Sequence, residues 1–188
     1  MSTTLLIILI GLVLIAAIAG FAYMQKRRTA KLRSRFGPEY ERAIHDYGDK
    51  AHAEKALEHR AERTASYQIH SLPTEERQRF SEEWLRVQAR FVDNPKLSTQ
   101  EADNLISEVM GMRGYPMADF ERRAEDLSVD HPDVVRNYRA AHEIATAEQK
   151  GQATTEDLRR AMVNYRELFD ELLETQTSGT RNVLHKDR

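Results

Sequence analysis

Hydrophobic and polar positions fall into two regimes along this chain, and each predicts a different kind of element. From Leu5 to Met24, twenty residues pass without a charge. At about 1.5 Å of rise per helical residue they span roughly 30 Å, the hydrocarbon thickness of a bilayer, so residues 1–24 are expected to form a transmembrane anchor. From Gly37 onward the apolar positions recur with a helical period, and no stretch of alternation is long enough to predict a strand. The expected fold class is all-α: a single transmembrane helix, a polar stalk helix over 37–70, and a compact bundle of about five helices over 71–174.

The stalk begins where Gly37-Pro38 sets up a first turn, and one helix is expected from there to about Gln68, with Gly48 as its weak point. Its apolar face is thin, so much of its length is expected to face solvent. Ser71-Leu72-Pro73-Thr74-Glu75-Glu76 then reads as a helix start, with a capping hydroxyl and acids in the first turn, and Phe80, Trp84, Val87 and Phe91 follow at spacings of four, three and four on one face. Asn94-Pro95 reads as a stop. Ser98 with Glu101 reads as a capping box opening a helix whose stripe is Leu105, Val109 and Met112 beside Ala102 and Ile106. A short helix carries Phe120, Ala124 and Leu127, and Pro132 opens the next, with Val134, Val135, Tyr138, Ala141 and Ala145 inward. Thr154 and Asp157 cap a last helix in which Leu158, Met162, Tyr165, Phe169 and Leu172 make the strongest stripe of the chain. Residues 175–188 lack periodicity and are expected to be disordered.

Charge sharpens the reading of the anchor. Lys26, Arg27, Arg28, Lys31, Arg33 and Arg35 follow it with no acid among them, a basic collar over 25–36. Positive charge beside a span is retained in the cytoplasm, which places the N-terminus outside and the soluble part inside. Cleavage near Ala19, after the small-x-small run Ala17-Ile18-Ala19, is the rival reading and would make a secreted protein. The uncharged flank Met1–Thr4 argues against it, because a signal peptide carries positive charge there. The collar also suits anionic lipid headgroups. Nucleic acid is not expected as a partner, since the collar lacks interleaved aromatics. Formal charge is −2 overall, so the body behind the collar is acidic.

Candidate chemistry is sparse. The absence of cysteine removes thiol catalysis and Cys-ligated metal. His45, His52 and His59 lie seven residues apart, about 10.5 Å along a helix axis, too far for neighbours to share one ion. Asp126, Asp130, His131 and Asp133 concentrate acids and an imidazole at one junction, and His142 lies a few turns on. A ligand site or enzyme built on these five is one reading; helix capping by the acids and a hydrogen-bonded core role for His142 is the favoured one. No phosphate loop, dinucleotide glycine pattern, serine elbow or zinc-protease motif occurs, so no catalytic residue, metal or cofactor is assigned.

Four segments, Arg35-Phe36-Gly37-Pro38-Glu39-Tyr40, Asp126-Leu127-Ser128-Val129-Asp130-His131-Pro132, Asn137-Tyr138-Arg139-Ala140-Ala141-His142 and Leu168-Phe169-Asp170-Glu171-Leu172-Leu173, resemble a bacterial family of single-anchor membrane proteins with no assigned function. The resemblance implies a bacterial source and a hydrophobic N-terminus, and it transfers no activity. The reading that results is an inner-membrane-anchored helical interaction module that binds a protein partner or itself.

Overall fold

The computed structural model describes residues 3–174, with side chains from Leu9 onward, and they are all-helical, without a strand among them. The tail 175–188 lies outside the described residues. Among the described residues eight helices follow one another: α1 Thr3–Phe36, α2 Pro38–Tyr47, α3 Lys50–Ala65, α4 Thr74–Arg90, α5 Pro95–Met112, α6 Phe120–Asp130, α7 Pro132–Gln149 and α8 Thr155–Glu174. The described residues form two compact units whose boundary, between Glu58 and His59, falls inside α3.

In the first unit, α1 runs unbroken from the apolar segment through the basic collar, and it is long and apolar enough to span a membrane. Its described apolar side chains, from Leu9 to Met24, are all exposed. Leu32 and Phe36, one turn apart at its C-terminal end, are buried instead. Pro38 occupies the first turn of α2, as its fixed φ favours. The single helix expected over 38–68 is two helices. Gly48, at φ +67°, takes the left-handed conformation that ends α2 and donates its N–H to the Ile44 carbonyl, so the chain restarts at Lys50. The expected exposure of this segment holds only in part, since Tyr40, Ala43, Ala53, Glu54, Leu57, Arg60 and Thr64 are all buried.

In the second unit, α8 is the central element, packed against α7 and α5, while α4 packs on α5 and α6 on α7. Its predicted stripe is the core: Leu158, Met162, Tyr165, Phe169 and Leu172 are all buried. Trp84 of α4 stacks on Phe169 with ring centroids 4.7 Å apart. Thr154 and Asp157 form the expected reciprocal cap, and the Thr154 hydroxyl and N–H, with Arg160, hold the Asp157 carboxyl down to about 2.

Two helix starts differ from expectation. Helix α5 opens one turn early because Asn94 Oδ1 accepts the Leu97 N–H and Pro95 takes the first turn. Ser98 is therefore buried inside the helix, not at its cap, and Thr99 donates its hydroxyl back to the Pro95 carbonyl. At the other end of α5, Met110 is buried and Met112, expected in the stripe, is exposed. Helix α4 begins at Thr74 within the expected run, with Glu75 and Glu76 in its first turn, but Pro73 holds the cap position and no hydroxyl caps it.

Candidate functional site

The features that sequence singles out lie in three places, and each can be built up from its residues. The first is the foot of α1. Thr29 and Arg28 stand one turn before Leu32 and two before Phe36, so they occupy the face of α1 that is covered. Thr29 Oγ1 donates to Glu54 Oε1 at 2.7 Å, and the Tyr40 hydroxyl donates to the same oxygen at 2.9 Å. Lys50 adds its ammonium at 3.7 Å. Burial works to raise the Glu54 carboxyl, but these donors and the nearby Arg28 charge outweigh it and hold it below the usual carboxylate range. Burial and the bond to Glu54 push the Tyr40 phenol up. One buried carboxylate on α3 thus ties α1 and α2 together.

The collar cations divide at this point. Arg28 makes a two-pronged pair with Glu58, both contacts at 2.5 Å, and Arg33 pairs with Glu41 at 2.5 Å while its guanidinium lies 5.3 Å over the Tyr40 ring. Lys26, Arg27, Lys31 and Arg35 are exposed and meet no carboxylate among the described residues. Arg27 sits 5.1 Å over the ring of Tyr23.

The second place is the α6–α7 junction, whose four candidates have separate structural duties. Asp126 is not a cap: it is buried in mid-helix, accepting from Arg63 Nε at 3.0 Å, Arg63 Nη2 at 2.6 Å and the Tyr67 hydroxyl at 3.1 Å. Glu125 and Ser128, on the same helix, receive Arg60 and Arg63. Asp130 is the last residue of α6, not part of the α7 N-terminus, and accepts from the Tyr115 hydroxyl at 3.4 Å. His131 is both the C-cap of α6 and the N-cap of α7; its ring is buried and lies 3.1 Å from Glu171 of α8. Burial lowers its pKa despite that carboxylate. Asp133 alone lies exposed in the first turn of α7, where the helix dipole favours a negative charge.

His142 is apart from these. Its ring stacks on Phe120 at 3.5 Å and 5°, half-buried, and it lines a cleft of about 380 Å³ together with Lys96, Leu97, Asp103, Glu148 and Leu158. Lys96 and Glu148 pair within the lining. Behind His142 the Tyr138 and Tyr165 hydroxyls are pushed up by burial and then by the charge of Asp103, which faces Arg123 at 3.8 Å. None of the four junction residues lines this cleft, so the five candidates do not converge. His45, His52 and His59 are all exposed. Among the described residues no group of three metal-ligating side chains comes together.

Glu54 looks like one more solvated acid in the sequence, and Arg60, Arg63, Asp103 and Arg113 do not stand out there. A signal for part of this set was present, since Ala53, Leu57, Arg60 and Thr64 recur at four, three and four, a buried stripe that carries a guanidinium. Arg113 had no such signal. It is buried just beyond α5, where Nη1 donates to the Leu172 carbonyl at 2.9 Å and desolvation lowers its pKa. Comparison with protein-family models, curated proteins and solved structures finds no match.

Proposed function

We propose that this chain is a single-pass membrane-anchored interaction module, whose acidic helical body is held on the cytoplasmic face of a bacterial inner membrane and binds a protein partner or a second copy of itself. The observation that carries the reading is α1, an apolar helix whose described side chains are uncovered from Leu9 to Met24 and which runs directly into a basic collar. The collar's charge supports an N-out, C-in orientation. The bacterial source rests on the family resemblance of the four segments. Catalysis at the Asp126–Asp133 junction with His142 finds little support, because three of those four junction groups are engaged by Arg63, Tyr115 and Glu171 and only His142 lines a cleft.

Since the chain has no cysteine, single cysteines introduced at Ser2 and at Glu174 allow labelling of one side of the membrane at a time. The expected result is a chain that resists alkaline extraction, has an intact mass of 21.7 kDa, and exposes only position 2 to a membrane-impermeant reagent outside. A shortened chain in the soluble fraction, or label at position 174, would overturn the assignment. Crosslinking in intact membranes followed by native mass measurement tests the second half, and a species that stays monomeric and unpartnered at its native level would sink it.

A further inference from the structure

The geometry points to a division of labour in the collar: Lys26, Arg27, Lys31 and Arg35 form a surface for anionic phospholipid headgroups, while Arg28 and Arg33 are structural cations that take no part in it. The inference rests on the anchoring proposed above and adds to it which side chains meet lipid. Six adjacent cations look equivalent in the sequence, but the acids of α2 and α3 select two of them. Glu58 takes both prongs of Arg28, and Glu41 takes Arg33. Thr29, between the two, is held by Glu54. The other four cations are exposed, with no carboxylate in ion-pair reach among the described residues.

Distance along the helix ranks these four. Measured from Met24, the last apolar residue, Lys26 and Arg27 lie ~3–5 Å further on, Lys31 ~10 Å and Arg35 ~17 Å. The headgroup layer on one side of a bilayer is about 5–8 Å thick. Lys26 and Arg27 therefore sit within it. Tyr23, whose ring carries the Arg27 guanidinium at 5.1 Å, marks the same level, since tyrosine favours the interface. Lys31 lies within a screening length of about 8 Å beyond the layer, and Arg35 lies at the edge of that range. The preference for anionic lipid should fall in the order Lys26 and Arg27, then Lys31, then Arg35.

The test uses the full chain in bilayers of phosphatidylcholine containing trace spin-labelled phosphatidylglycerol or spin-labelled phosphatidylcholine, and reads the ratio of their association with the protein. Alkaline extraction and Trp84 fluorescence confirm that each variant is inserted and folded. Wild type is expected to prefer phosphatidylglycerol, with the preference lost in high salt. K26Q and R27Q should each lower it roughly fivefold, equivalent to about 1 kcal/mol per cation near the surface. R35Q should lower it by less than about twofold, and the quadruple variant K26Q/R27Q/K31Q/R35Q should show none. R28Q/E58Q and R33Q/E41Q, each of which removes a whole pair without changing the net charge, should leave the preference at the wild-type level. A quadruple variant that keeps the preference, or an R28Q/E58Q variant as deficient as K26Q, overturns the division. A wild-type chain that is fully inserted yet shows no preference overturns the lipid surface while leaving the anchor intact, whereas failure to insert would strike the anchoring proposal itself.

Discussion

Replacing Gly114 by alanine should destabilise the second unit severely. Gly114 follows the buried Arg113 at φ +92°, and a Cβ there would stand 2.3 Å from the Gln68 backbone oxygen and 3.1 Å from its carbonyl carbon. Neither is the tip of a flexible side chain. The neighbouring segment is pinned as well, since the His70 N–H donates to the Arg113 carbonyl at 2.9 Å. Left-handed backbone costs an alanine about 1–2 kcal/mol, and forcing a methyl into rigid surroundings adds about 1–3 kcal/mol. The entropy removed from the unfolded chain offsets less than about 1 kcal/mol of this. The net is about 1–5 kcal/mol, or roughly 4–20 °C in Tm at about 4 °C per kcal/mol for a unit of this size. Gly151→Ala provides the control, because Gly151 also has positive φ, +68°, but open space where the Cβ would go. Trp84 reports the transition, being 4% exposed and stacked on Phe169. Melting curves in which Gly114→Ala loses no more than Gly151→Ala would refute the close approach of the Gln68 carbonyl, and with it the account of how the 66–73 connection is held.

Removing the Glu54 carboxylate by Glu54→Ala leaves the Tyr40 and Thr29 hydroxyls without their acceptor and should cost about 1–3 kcal/mol, read as faster amide exchange in α2. Asp126→Asn should cost about 3 kcal/mol in the Trp84 melt by stripping Arg63 of its closest charge, with Arg63→Met restoring part of the loss. Because burial lowers the His131 pKa below its unfolded value of about 6.5, the unfolded chain takes up the extra proton. Stability of the second unit should therefore fall as pH drops through that value, and His131→Gln should flatten the slope. A Phe169→Ala variant should lose about 3–5 kcal/mol, measured by denaturant titration, as it opens a cavity beside Trp84.

The core was legible wherever one helix face carried it. The α8 stripe and the Phe80, Trp84 and Val87 row were recoverable because a period of 3.6 leaves a mark in four-three-four spacing. Helix starts were less so, since Asn94-Pro95 reads equally as the end of one helix and the cap and first turn of the next. Only the Asn94 side chain, turned onto the Leu97 N–H, distinguishes them. The polar look of residues 38–65 hid a buried face, because Glu54 and Arg60 are partnered from elsewhere in the chain and composition cannot show a partner. The same blindness made the collar look uniform. Each of its six cations has the same local sequence character, and only contacts 8 and 30 residues away separate Arg33 and Arg28 from the rest.

The unbroken course of α1 has a mechanical meaning. Between Phe21 and Phe36 it contains no glycine or proline, the residues at which helices bend. It is a stiff shaft, and its lower end is gripped through Thr29 and Arg28 by side chains of α3. A turn or an axial shift of this part of the helix has no bend at which to dissipate, so it passes to α2 and α3 through those same contacts.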